Sequence, residues 1–397
     1  MASTAEQVQA VLEKVPVTIQ AIVGALVLAL IYAIITGDRP VAGFPIVTVK
    51  REGWSKLLPK GFAFLTHGKA MLEKGLQEHS GPFQVNTGSG YKIIVPNRFV
   101  DEIKNSSDVS FHEAFKQDLF VDYPGMDGNR EGLKDSTFMQ EVVRMKLTQS
   151  LGLVTDDLVD ETNDSFNCIL GEPTEWTVTP MKDNILDLVA RLSARVFLGL
   201  PICRDPRWLQ ISKDYTIDSF VAARLLRMCP ELIRPVVYWL IPTCTRLRKQ
   251  VADARKLIEP EVERRIKKAN EALAAGRKPP KASDAIAWMV EVAQNGRDTD
   301  FVAAQLSLTT AAIHTTSETT MKCLVQLCKT PELQDQLRQE MLQVLSTDGW
   351  SKTSLYKLRL LDSFLKEVQR HNAMSLGKSH LSLNEAMRSL STRNACP

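Results

Sequence analysis

The sequence predicts a mainly α-helical body with a small β element near its start, preceded by one N-terminal transmembrane helix. Three observations carry this expectation. From about Asp101 onward, apolar residues recur at spacings of three and four, the period of helices that bury one face. Upstream, Phe83-Gln-Val-Asn and Tyr91-Lys-Ile-Ile-Val-Pro96 flank the glycine-containing turn Thr87-Gly-Ser-Gly90, the pattern of a β-hairpin. No charged residue stands between Lys14 and Asp38.

Residues 1–14 read as a lumenal tail and 15–37 as a transmembrane anchor. Val17, Ile22, Leu26, Leu30 and Ile34 are among eleven strongly apolar residues in that run. At about −0.3 to −0.6 kcal/mol each they sum to roughly −3 to −7 kcal/mol in favour of insertion, an upper bound because residues near the ends count for less. A cleaved signal peptide is the competing reading. The run is long for one and starts late, with only Lys14 as a basic residue ahead of it beside Glu6 and Glu13. Arg39, Lys50, Arg51, Lys56 and Lys60 follow the span, so the positive-inside rule places the body in the cytosol, on an endoplasmic reticulum membrane.

Residues 38–50 read as a stiff Pro-rich linker, since Pro40 and Pro45 fix their own φ and disfavour helix before them. The body, 51–370, has helix breaks at Pro173, Pro201, Pro230, Pro242 and Pro331. A charged helix around Val251 to Ala275 precedes a loop at Gly276–Ser283, and Phe301 to Cys328 reads as one long helix. At 397 residues and 44% hydrophobic content the chain can bury a large core. The net charge of +3 is dispersed rather than gathered into a basic stripe, so no nucleic-acid partner is expected. Seven cysteines form no CxxC and no metal-site spacing, and they read as reduced thiols. Cys323 and Cys328 fall in an apolar helical pattern and are expected in the core.

Two constellations carry chemistry. Ala311, Ala312, Thr315, Thr316 and Thr319 make a run of small residues in the middle of a long helix, with His314 among them. Taken alone, such a run is ordinary packing with hydroxyls bonded back to carbonyls. Glu367 and Arg370 lie three apart on one face of a later helix. Taken alone they are a surface ion pair, worth little.

In combination they say more. Ala311-Ala-Ile-His314-Thr315-Thr316 resembles the (Ala/Gly)-Gly-x-(Asp/Glu)-Thr-(Thr/Ser) signature of the cytochrome P-450 family, in the Ile-His-Thr-Thr form of its fungal secondary-metabolism members. Thr330-Pro-Glu-Leu-Gln-Asp-Gln-Leu-Arg-Gln-Glu340 resembles the helix that follows, and Lys357-Leu-Arg-Leu-Leu-Asp-Ser-Phe-Leu-Lys-Glu-Val-Gln-Arg370 the Glu-x-x-Arg helix. Leu188 to Gly199 and Arg207 to Thr216 are similar to the same group.

The resemblance implies the family's helical fold and a heme b cofactor. It implies electrons from NADPH-cytochrome P-450 reductase and a small apolar substrate, terpenoid or indole-terpenoid. Ala311 and Ala312 would line the oxygen-binding groove. Thr315 would hold the waters that deliver protons, with His314 in the place of the usual acid, where an imidazole can still relay a proton. Arg144, in Phe138-Met-Gln-Glu-Val-Val-Arg144-Met-Lys146, would reach a heme propionate with its planar fork, a solvated helix face being the alternative. Glu367 and Arg370 would form a buried structural pair.

Residues 371–397 depart from the family. They read as a serine-rich, basic, divergent tail without the Phe-x-x-Gly-x-x-x-Cys-x-Gly loop that donates the thiolate. Cys396, in Asn-Ala-Cys-Pro, is the one cysteine late enough to be considered, but the flanking glycines are missing. The expectation is a monooxygenase body incomplete before its heme-ligating loop. The alternative is a truncated, catalytically inactive family member.

Overall fold

The computed structural model describes residues 39–50, 62–87, 90–134, 137–229, 231–277, 284–293, 297–372 and 382–383, with Gly24. They fall into two compact units, one drawn from Met1–Val109, Ala222–Ile241 and Leu383–Pro397, the other from Ser110–Val221 and Pro242–Ser382.

In the first unit, helix α1 (Phe62–Glu78) precedes the hairpin of β1 (Phe83–Asn86) and β2 (Tyr91–Ile94), paired antiparallel from Phe83 opposite Ile94 to Asn86 opposite Tyr91. The hairpin is where the alternation of apolar residues places it. Val47, Met71, Phe83 and Val85 form its core. A Cβ at Gly75 of α1 would overlap the Phe83 ring, so glycine there lets helix and strand close up.

The segment 39–50, within the stretch read as a stiff linker, is docked on β1. Its Val47 N–H donates to the Gln84 carbonyl at 2.9 Å, and the Gln84 N–H to the Pro45 carbonyl at 2.8 Å. The Gln84 side chain accepts from the Val41 N–H at 2.9 Å and donates to the Val41 and Phe44 carbonyls at 2.8 and 2.6 Å. A buried glutamine with its amide so fully used holds the segment in place.

The second unit is helical. Its elements are α2 (Phe111–Leu119), α3 (Asp127–Lys134), α4 (Thr148–Ile169), α5 (Met181–Leu198) and α6 (Pro206–Met228, as far as Val221). There follow α7 (Pro242–Ala274), α8 (Ala285–Ala293), α9 (Phe301–Lys329), α10 (Glu332–Asp348), α11 (Lys352–Lys357) and α12 (Arg359–His371). The charged helix expected from Val251 begins earlier, at Pro242, and runs through Pro260. Proline there lacks an N–H for the helix ladder. The buried stripe Val251, Ala254, Ile258 and Val262 carries the helix across that gap.

Helix α9 is central. Asp300 caps it, its carboxylate accepting from the Ala303 N–H at 3.0 Å and pairing with Arg255. Burial pushes the Asp300 carboxyl up, but the bonds from Arg255 and Ala303 bring it below its usual range. Two glycines let α3 approach α9: a Cβ on Gly128 would stand 2.8 Å from Leu306 Cβ, and one on Gly132 would overlap Ser307 Oγ. The fully buried Tyr215 hydroxyl fixes the start of α3, accepting from the Gly128 N–H at 2.9 Å and donating to the Gly125 carbonyl at 3.1 Å.

Helices α4 and α5 are joined by charge. Glu161, wholly buried, accepts from Arg191 Nε at 2.8 Å and from Arg204 Nε at 2.9 Å, while Arg195 reaches Asp157 at 2.6 Å. The Arg191 bond also holds the Asp164 carboxyl low.

On α12, Phe364 and Val368 pack with Cys323 and Leu337. Cys323 is in the core as expected, but Cys328 is exposed. Five residues separate the two, about 140° around an α-helix, so they cannot share a face. Among the described residues no helix is long and apolar enough to cross a membrane; the expected span 15–37 lies outside them save Gly24.

Candidate active site

Helix α9 is buried over its first turns and opens midway. Val302, Ala303, Ala304, Leu306, Leu308 and Thr309 are buried, whereas Ala311, Thr315 and Thr316 are exposed and Ala312 is half-buried. Ile313 and Ser317 still face the interior. The outcome is an open helix face carrying only small side chains.

The hydroxyls on this helix bond back to carbonyls one turn earlier. Thr315 Oγ1 donates to Ala311 O at 2.7 Å, Ser317 Oγ to Ile313 O at 2.6 Å and Thr319 Oγ1 to Thr315 O at 2.9 Å. With its proton engaged, the Thr315 oxygen still has a lone pair to accept from water or substrate.

Beside this face lies a cleft of about 530 Å³ between the start of α5 and the middle of α9. Lys182, Asp183 and Leu186 line one side; His314, Thr315, Ser317, Glu318, Met321 and Lys322 line the other. Glu318 and Lys322 pair at 3.4 Å, so both charge signs are present and partly neutralised.

His314 Nε2 lies 2.9 Å from the Lys213 backbone oxygen of α6. A carbonyl only accepts, so this nitrogen carries the proton and Nδ1 is the basic one. Protonation at Nδ1 would leave the bond to Lys213 intact. The ring can therefore take up and release a proton while held still, as a relay group needs. The resemblance singled out His314 and Thr315, and both line the cleft; the Lys213 partner had no local signal.

Arg144 sits elsewhere. It is exposed on the π-helical segment Glu141–Leu147 and is not part of the cleft. Val143 and Met145 beside it are also exposed, at 37% and 53%.

Glu367 and Arg370 do pair, Arg370 Nη2 to Glu367 Oε1 at 2.7 Å and Nε to Oε2 at 2.8 Å. They are not the buried brace expected: their side chains are 58% and 64% exposed. Phe364 and Val368 turn the other face of α12 into the core, which sends this pair to solvent. The Arg370 guanidinium holds the Glu367 carboxyl down to about 2.

Helix α12 itself is aimed by Glu340 of α10, a residue the sequence marked only as part of a motif. Its carboxylate accepts from the Leu360 N–H at 2.7 Å and the Leu361 N–H at 3.0 Å, capping two donors that the helix leaves unpaired.

A heme fits part of this arrangement. The uncovered small-residue face at Ala311, Ala312 and Thr315 leaves room for a flat ring, and Arg144, outside the cleft, presents an exposed guanidinium of the kind that binds a carboxylate. Among the described residues no cysteine lines the cleft, and Cys396 lies outside them.

The cytochrome P-450 family profile matches residues 181–384. Cytochrome P-450 monooxygenase bsc2 of Alternaria brassicicola is 49% identical over 334 residues, 84% of this chain and 63% of that protein. Cytochrome P-450 monooxygenase bsc11 of the same fungus is 39% identical over 335 residues, again 84% and 63%. Cytochrome P-450 monooxygenase adrA of Penicillium rubens is 33% identical over 362 residues, 90% of this chain and 70% of that protein. The chain thus spans about 63% of the length of the first two. The profile match covers the open face of α9, the His314 cleft and the Glu-x-x-Arg helix together, and with these relatives it shows that the chain belongs to the cytochrome P-450 family.

Proposed function

We propose that the protein is a membrane-bound monooxygenase of fungal secondary metabolism, hydroxylating or otherwise oxidising an apolar terpenoid or indole-terpenoid with O2 and electrons from NADPH-cytochrome P-450 reductase. The observation that carries this reading is the uncovered small-residue face of α9 running into the His314 and Thr315 cleft. Heme, when bound, supplies the oxygen-activating chemistry. The chain's own residues do the rest. Ala311 and Ala312 keep the face clear. Thr315 orders water with its free lone pair, and His314, fixed at Lys213, passes protons through Nδ1. Arg144 holds a propionate.

The apolar run 15–37 and the basic residues behind it support a single-pass anchor in the endoplasmic reticulum with the body facing the cytosol. The fungal relatives, whose names are those of monooxygenases, support the monooxygenase reading.

The test is a carbon-monoxide difference spectrum of the reduced chain in reductase-containing microsomes. A Soret band at the thiolate-ligated position supports the reading; absence of any heme signal overturns it.

A further inference from the structure

The residues Glu141–Leu147 form a π-helix, not a stretch of α-helix. The Thr148 N–H reaches back five residues to the Val143 carbonyl, and the Thr148 hydroxyl bonds the same oxygen at 3.2 Å. Such turns are rare and short, and cluster at functional sites. What keeps this one in place comes from outside the helix. Glu141, at its start, pairs with Arg297 at 3.0 Å; Lys146, near its end, pairs with Glu291 of α8 at 2.5 Å. Between these ties, Val142 is buried at 1%.

The consequence is that Val143, Arg144 and Met145 are all exposed. In an α-helix three successive residues sweep about 200°. With Val142 anchored inward, one end of that sweep would turn back toward the interior. The wider π turn keeps an arginine flanked by two apolar side chains on the open side.

We infer that Glu291 and Arg297 are positioning residues, which hold 141–147 in the π register through Lys146 and Glu141 and so set the direction of Arg144. The inference rests on the reading that Arg144 receives a heme propionate. The two claims fail separately.

The experiment titrates hemin into the full chain and into Arg144→Gln, Glu291→Gln and the double variant, with Lys146→Met as a second way to break the same pair. Amide hydrogen exchange across 141–148 is measured without hemin. Glu291 is 60% exposed, so these changes leave the fold intact, which far-ultraviolet circular dichroism checks. Glu291→Gln and Lys146→Met are expected to weaken hemin uptake roughly threefold to tenfold and to have no further effect once Arg144 is Gln, the signature of one residue acting through another. Exchange is expected to change within 141–148 alone.

Equal losses from Glu291→Gln in both backgrounds overturn the inference, as does unchanged exchange across 141–148. Unaltered hemin uptake by Arg144→Gln overturns the propionate reading instead, as does a wild-type chain that takes up no hemin. The exchange measurement then decides the register claim by itself.

Discussion

His314 of α9 donates from Nε2 to the Lys213 carbonyl of α6 at 2.9 Å, which locks the ring while leaving Nδ1 basic. A group so held has two separable roles. As a helix tie it contributes about 0.5–1.5 kcal/mol. As the proton relay we propose, it would contribute on the order of 10² in turnover. His314→Ala is therefore expected to lower the urea-unfolding free energy by about that tie and to slow product formation about a hundredfold with heme uptake unchanged. Loss of bound heme in the variant would contradict the relay role.

The glycines under α9 differ in what they meet. At Gly128 an added Cβ stands 2.8 Å from Leu306 Cβ, an atom tied to the helix backbone. Gly128→Ala is expected to cost about 1–3 kcal/mol. At Gly132 the obstacle is Ser307 Oγ, the end of a side chain that can rotate away. Gly132→Ala should cost less, and urea unfolding of the two variants measures the order.

Glu161 is wholly buried between Arg191 and Arg204. Glu161→Ala removes one of the two carboxylates that pair with the buried Arg191, Asp164 being the other, and breaking a buried pair costs up to about 3–5 kcal/mol. Thermal unfolding checks it; a change comparable to that of a surface substitution would refute the network's role.

The exposed pair on α12 makes the opposite forecast. The Glu367 carboxyl is depressed to about 2 in the folded chain by Arg370, from an ordinary 4.5. Its stabilising contribution is thus present above pH 4.5 and lost as pH falls from 4.5 toward 2. Both side chains are solvated, so the contribution is small. The stability difference between the wild-type chain and Glu367→Gln should be slight at pH 6 and shrink at pH 3.5; a difference that grows on acidification contradicts the assignment.

Deleting residues 1–36 is expected to leave less of the protein in membranes after an alkaline wash, because the apolar run 15–37 is then removed. Unchanged alkali-resistant retention would refute the single anchor.

Much of this was legible in the sequence wherever a single period rules. The hairpin follows from alternation, and α9 emerges within a residue of its expected end because its apolar positions recur without interruption. Partners supplied from afar were not legible. Gln84 carries no local signal beyond its place in the strand, yet its side chain clamps Val41 and Phe44. The charged helix read from Val251 starts nine residues earlier, at Pro242, where buried Thr243, Cys244 and Leu247 extend it. In the site, the resemblance singled out His314 and Thr315, which line the cleft, but the Lys213 carbonyl, the Glu340 cap and the π turn around Arg144 had no local signal. The expectation that Glu367 and Arg370 are buried came from the resemblance, and the solvent-facing side of α12 does not meet it.

The open face at Ala311 is the proposed seat of the heme, and hemin titration of the wild-type chain and of Ala311→Phe, followed by absorbance, measures whether heme sits there. Ala311 is exposed, so the larger side chain leaves the fold intact while filling the space above the face. Saturable uptake is expected for the wild-type chain, and uptake weakened at least about tenfold in Ala311→Phe, the scale of a lost well-formed contact. Equal uptake by both chains, or none by the wild-type chain, would contradict it.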